Sequence, residues 1–396
     1  MLLIKNAKII TMSDKSQYTG GEDCFILCEG SVIKSMGSVK DCNFTPNKED
    51  IVIDARGMIV YPGLIDSHCH IGMMEDGVAD EGDDVNEDTD PVTPHLKATD
   101  GIYYMDNSFR EACEAGITTC VTGPGSANAI GGMFAAVKTD NRDISKMVLR
   151  ENVTMKFAFG QNPKFVYGDK KITPATRMAT VAMMREALCG AGEYKDSLEK
   201  HSENPEDNHK PEFDIKREAL VPVLKGEMRV KSHAHRADDI ISAVKLSKEF
   251  GYEVTIEHAT EGHLITDYLV KENVKVICGP LITERCKTEL RNHTIKTPGI
   301  LANAGVKTAI MTDHPCVPIQ YLPLSAMLAV KNGMDKGKAL EAITITAAEL
   351  TGIDDRVGSL EEGKDADIMI TDGDILDFNT NVQYTIVNGK IAYARS

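Results

Sequence analysis

At 396 residues with a formal charge of -16, the chain is long enough for one large core of about 250 to 300 residues plus a smaller unit. Its acidic balance excludes a nucleic-acid partner, whose phosphates need a basic surface. The apolar content of 42% is ordinary for a soluble globular protein, and no apolar run reaches the ~18 residues of a membrane span.

Ten cysteines are scattered without a close C-x-x-C pair, and the opening Met-Leu-Leu-Ile-Lys-Asn-Ala-Lys lacks the parts of a secretory signal. Reduced thiols and a cytoplasmic protein are therefore expected.

Residues 1–58 read as short strands (Leu2 to Ile10, Cys24 to Cys28, Val32 to Met36, Ile51 to Ile53) punctuated by Gly21, Gly30 and Gly37. The tail repeats the pattern with Ala366 to Ile370, Val382 to Val387 and Lys390 to Ala394. One small β-sandwich domain built from residues 1–58 and 355–396 is the expectation.

Between the ends, strand-like runs alternate with helical ones. The strands are Gly63 to His70, Ile117 to Thr122, Met133 to Lys138, Val153 to Phe159, Arg229 to His235, Glu253 to His258, Val274 to Cys278 and Val306 to Asp313. Helical stretches include Arg177 to Leu188, Ala237 to Phe250 and His263 to Lys271. Eight strands with intervening helices predict a parallel sheet closed into a (β/α)8 TIM-like barrel over residues 59–354. Glu75 to Asp90 carries nine acidic residues and no basic one, which predicts a solvated loop, with a cationic funnel as the other reading. Tyr194 to Glu218, also rich in charge, is expected outside the barrel. Tyr103 and Tyr104 follow the acidic insertion as lid candidates. Gly123 to Gly132 lacks the Gly-Lys-Ser/Thr ending of a phosphate loop and reads as a tight loop beside the site.

Barrel enzymes build their sites at the C-terminal strand ends. There the chain places His68 and His70, Lys156, His233 and His235, His258 and Asp313; five of its 11 histidines fall at three strand ends. Residues two apart on a strand share a face, so each His-x-His pair points two imidazoles the same way, and imidazole is a common ligand for zinc. In Val153 to Phe159 the bulky Met155, Phe157 and Phe159 share one face and Lys156 the other. A buried amine there either captures carbon dioxide as a carbamate able to bridge two cations or pairs with an acid such as Asp313.

These motifs resemble the amidohydrolase superfamily in its imidazolonepropionase-like and prolidase-like branch. The resemblance rests on Tyr61-Pro-Gly-Leu-Ile-Asp-Ser-His-Cys-His70, Ala115-Gly-Ile-Thr-Thr119, Ser232-His-Ala-His235, Ile256-Glu-His258, Met311-Thr-Asp313 and the closing Gly358-Ser-Leu-Glu-Glu-Gly-Lys-Asp-Ala-Asp367-Ile. It implies that His68, His70 and Asp313 hold one divalent metal, His233 and His258 a second, and N-carboxylated Lys156 bridges them. A one-ion site of His68, His70, His233 and Asp313 is the alternative. Zinc is the expected metal. Catalytic roles fall to Asp313 as proton acceptor and to His258 or His235 as stabilisers of the developing oxyanion.

The reaction expected is hydrolysis of an amide-like or cyclic C–N bond in a small-molecule substrate. A Xaa-Pro or Xaa-Arg dipeptidase, a heterocycle deaminase and a catalytically silent scaffold are the alternatives. Gln161, Lys164, Arg177, Arg236 and Arg285 are the candidates for gripping a substrate carboxylate. No nucleic-acid or membrane partner is expected, and a homo-oligomer is left open.

Overall fold

The computed structural model describes residues 1–13, 21–78 and 80–396. Five strands open the chain: β1 (Leu2–Ile9), β2 (Gly21–Glu29), β3 (Val32–Ser38), β4 (Ile51–Asp54) and β5 (Ile59–Pro62). Eight follow: β6 (Leu64–Cys69), β7 (Ile117–Thr122), β8 (Ile130–Lys138), β9 (Val148–Ala158), β10 (Arg229–Ala234), β11 (Val254–His258), β12 (Lys275–Cys278) and β13 (Thr308–Ile310). The tail adds β14 (Ile368–Thr371), β15 (Val382–Val387) and β16 (Lys390–Ala394).

The two ends of the chain meet in one β-sheet. Its strands are hydrogen-bonded into one eight-stranded sheet of order β16-β15-β14-β5-β1-β2-β3, rather than two stacked sheets. One edge of β1 splits: Leu2 to Lys5 pair with β4 and Lys8 to Ile9 pair with β5, with Asn6 at a φ of 59° between them. Strand β5 carries this sheet to Pro62, and the barrel sheet starts at Leu64. Leu2, Ile4, Ile26, Ile53, Val60, Ile368 and Ile386 form its core.

The central sheet runs in sequence order from β6 to β13. Its ends approach through Asp313 N–H donating to His68 O at 3.2 Å and His70 N–H donating to His314 O at 2.8 Å, which brings the last strand's exit against the first. The expected all-parallel arrangement fails at one strand: β8 is antiparallel to both β7 and β9. The reason is connection length. Only residues 123–129 and 139–147 flank β8, whereas a parallel crossover needs about a dozen residues or more.

Elsewhere helices pack outside as expected, and Met155, Phe157 and Phe159 face Met184, Leu188 and Leu220 in a shared core. Ala237–Phe250 forms a helix closed by Gly251 at φ 76°, a left-handed cap that favours glycine. The helix expected to end at Leu188 continues over Arg177–Glu203. All ten cysteines are free thiols. Among the described residues no helix is long and apolar enough to cross a membrane.

Candidate metal centre and active site

Alternation along β6 turns His68 and His70 to the same side, with ring centroids 5.2 Å apart, while the Cys69 thiol turns away to Val121 O. Strand β10 does the same for His233 and His235, at 4.7 Å. His258 joins the two groups: its ring lies 4.4 Å from His233, 4.5 Å from His235 and 6.0 Å from His68. Asp313 Oδ1 is 3.4 Å from His68 Nε2 and 3.5 Å from His70 Nε2. Two sets of buried donors result, His68 with His258 and Asp313, and His233 with His235 and His258, each within 4.8 Å of one another.

The outer ring atoms fix which nitrogens face inward. His70 Nδ1 lies 2.7 Å from Gly123 O and His258 Nδ1 2.9 Å from Gly279 O. A carbonyl only accepts, so both rings carry their proton on Nδ1 and present the Nε2 lone pair to the site. His68 Nδ1 lies 2.9 Å from Glu257 Oε1, an ion-pair distance without hydrogen-bond geometry. His235 Nδ1 is 2.8 Å from Thr260 Oγ1. The Nε2 atoms of His233 and His235 are buried without a hydrogen-bond partner. Orphaned buried nitrogens cost about 1 to 3 kcal/mol each, and a free Nε2 on His233 beside that of His258 fits a divalent cation.

Electrostatics keep the imidazoles in the neutral, ligating form. Burial, with the Lys156 and Lys231 ammoniums, pulls His68 down to about 4 despite its Glu257 neighbour. Burial likewise lowers His258, and holds His233 and His235 well below the ordinary imidazole value. Burial alone would raise Asp313, but His258, His68 and His70 hold it well below the carboxylate range.

Lys156 lies inside the barrel at 1% exposure. Its ammonium donates to Glu257 Oε2 at 2.6 Å and stands 3.5 Å from His68 Nε2. The acid it meets is thus Glu257 rather than Asp313. Phe134, from the reversed strand β8, stacks under His68 at 5.1 Å and 24°.

The expected substrate residues are mostly committed elsewhere. Arg177 pairs with buried Asp239 at 2.8 Å, Arg236 with Asp238 at 2.9 Å, and Arg285 donates to His293 O at 2.7 Å. Gln161 is held through its backbone N–H by Glu289 Oε2 at 3.0 Å, and Lys164 is half-buried on the same helix, Gln161–Asp169. Nearer the histidines is a pair that sequence reasoning missed. Glu289 Oε1 lies 3.6 Å from His235 Nε2 and 3.9 Å from His233 Nε2, and Lys287 pairs with it at 2.8 Å while also reaching Asn162 Oδ1 at 3.2 Å. Both lie in the loop after β12, where no periodicity marks them. Lys231 was also missed, although strand alternation places it on the face of His233. The acidic insertion packs over the β7–β8 loop through Gly125 N–H to Val85 O and Ala127 N–H to Asn86 Oδ1. Its Asp88 and Asp90 pair with Lys170 and Lys216.

An amidohydrolase family profile matches residues 59–392. A crystal structure of an amidohydrolase from Thermotoga maritima covers 100% of both chains at 33% identity and a TM-score of 0.92. The tasK amidohydrolase of Hapsidospora irregularis is 27% identical over 89% of this chain, which spans only 38% of that protein. An imidazolonepropionase of Thermoplasma volcanium is 24% identical, covering 81% of this chain and 78% of its own. Solved dipeptidase and prolidase structures at 15–20% identity share the fold. With these likenesses added to the strand-end histidines and Asp313, the chain belongs to the amidohydrolase family.

Proposed function

We propose that the chain is a metal-dependent hydrolase of an amide-like or cyclic C–N bond in a small molecule. The observation that carries the reading is the convergence of two buried donor sets sharing His258, with two imidazole nitrogens left unpartnered. His68, His70 and Asp313 would hold one divalent cation and His233 and His258 a second, with Lys156 between them as its carbamate. Forming that carbamate takes one proton from the ammonium, joins the freed amine nitrogen to carbon dioxide and releases a second proton. Nitrogen and carboxylate donors of this kind suit zinc. A bound cation polarises water and a substrate carbonyl.

The chain's own groups then divide the work. Asp313 accepts the proton of the attacking water and returns it to the departing nitrogen. His235, with Nδ1 accepting from Thr260 Oγ1 at 2.8 Å, carries its proton on Nε2 and donates it to the carbonyl oxygen as charge develops, a contribution of about 3 to 4 kcal/mol for one well-placed donor.

The test is elemental analysis of the purified chain followed by a panel of cyclic amides, dipeptides and aminated heterocycles with metal-replete protein. Stoichiometric divalent metal and ring opening are expected. Release of ammonia without ring opening, or of free amino acids alone, would move the reading to a deaminase or a dipeptidase. Metal well below one equivalent would sink it in favour of a silent scaffold.

A further inference from the structure

We infer that Lys231 is a positioning residue, which holds Glu257 in place and through Glu257 orients the His68 ring toward the cation. The inference rests on the metal-dependent reading above and deepens it. Lys231, Glu257 and His68 are all fully buried. Lys231 Nζ donates to Ser67 O at 2.5 Å and lies 3.0 Å from Glu257 Oε1. The same Oε1 is 2.9 Å from His68 Nδ1, while Oε2 takes the Lys156 ammonium at 2.6 Å. The Lys231 ammonium also sits 4.7 Å over the Phe134 ring that supports His68 from below.

Two buried cations for one carboxylate is an expensive arrangement unless both are needed, since a buried charge without its own partner is strongly destabilising. The geometry explains why both are present. Lys156 is the lysine close to His68 Nε2, on the cation side of the ring, and as a carbamate it ceases to be a positive partner for Glu257. Lys231 lies on the outer side of Glu257, anchored to the β6 backbone one residue before His68. It therefore keeps the carboxylate neutralised and fixed whichever form Lys156 takes. The Glu257 charge, 2.9 Å from Nδ1, favours the proton on that nitrogen and leaves Nε2 facing Asp313.

The experiment compares metal retention in wild type, K231M, E257Q and the K231M/E257Q double variant. Each is loaded with cobalt(II), its visible spectrum recorded, and the metal titrated out with a chelator, while circular dichroism follows folding. K231M is expected to release metal 10- to 100-fold more readily, roughly the penalty for losing an outer-sphere partner, with an altered cobalt spectrum. The double variant, which removes both charges together, is expected to retain metal better than K231M alone. Should K231M not fold, E257Q carries the test, since it removes the carboxylate that Lys231 holds: weaker metal retention with an altered cobalt spectrum supports the inference, and wild-type retention and spectrum overturn it. Wild-type retention and spectrum in K231M, or losses in the double variant equal to the product of the two singles, would overturn the inference. Failure of the wild type itself to hold metal would instead overturn the hydrolase reading.

Discussion

Replacing Lys138 with Met should unfold the junction between the barrel and the terminal sheet more readily than any surface charge removal. Lys138 closes β8 at 2% exposure, with its ammonium 2.8 Å from Asp365 and 2.7 Å from Asp367, themselves nearly inaccessible. Asp365 has a second partner, a two-pronged Arg356 at 2.7 and 3.0 Å. Asp367 has no second cation among its described contacts: it accepts from Asn388 N–H at 2.9 Å and Thr119 Oγ1 at 3.4 Å. K138M therefore strands one buried carboxylate, and breaking a buried pair in this way costs about 3 to 5 kcal/mol. R356M removes a half-exposed guanidinium and should cost about 1 kcal/mol or less. Urea unfolding of both variants, with metal content held equal, measures the difference. Equal midpoints for K138M and R356M would refute the argument that burial of the Lys138 cluster ties the tail to the barrel.

Further expectations concern the site. Asn at position 313 should lower turnover by about 10²- to 10⁴-fold on any substrate the panel identifies, the usual contribution of a positioned proton acceptor; steady-state kinetics check it, and an unimpaired D313N would remove Asp313 from the proposed proton path. Metal-free protein should lose stability as pH falls from about 6.5 to 4. His68 and His314 have folded values of about 4, below the ordinary imidazole, so the unfolded chain binds more protons in that window and stability rises with pH across it. Each ring contributes about 3 kcal/mol; Asp66, raised to about 6 by burial, opposes them with a similar amount, so these three groups leave a loss on the order of 3 kcal/mol, to which His233, His235 and His258, all lowered by burial, add. A urea midpoint that stays constant from pH 7 to pH 4.5 would contradict this. Ala at Gly160 should destabilise by about 1 to 3 kcal/mol, because φ is 85° and the new methyl would lie 2.9 Å from Asp239 Oδ2 and 3.0 Å from Glu289 Oε2; thermal melting reads the change.

Strand alternation made much of the site legible: His68 with His70, His233 with His235 and the inward Lys156 all follow from a period of two on strands bounded by turn residues. What periodicity cannot carry is direction. Nothing in Ile130–Lys138 reveals that β8 runs backwards, and the sign of it lay in the short stretches on either side, which hold no α-helix. Direction decides function here, since reversal takes Lys138 to the end facing the terminal sheet and brings Phe134 beneath His68. Lys287 and Glu289 were hidden for a different reason. They come from an irregular loop, where proximity to the histidines is set by the path of the whole segment and leaves no local pattern. Of the arginines offered for substrate, Arg177 and Arg236 pair with the neighbouring Asp239 and Asp238, partners that sequence spacing alone does not rank against a substrate carboxylate.

The adjacent Glu257 and His258 show how the fold extracts more from a strand than alternation allows. Successive side chains on a strand point to opposite faces, so one of the two should be lost to the site. His258, however, has a φ of 67°, followed by Ala259 at 47°, left-handed conformations that cost non-glycine residues about 1 to 2 kcal/mol each. That turn leaves the Glu257 carboxylate inside the barrel against His68 and Lys156 while swinging the next imidazole into the donor cluster. Asp313, at φ 57°, makes a similar left-handed exit after β13, and its N–H is pinned to His68 O. Strain gathered at the residues that carry the chemistry, and held by backbone bonds to the neighbouring strand, is the pattern expected where geometry has been set for ligation rather than for stability.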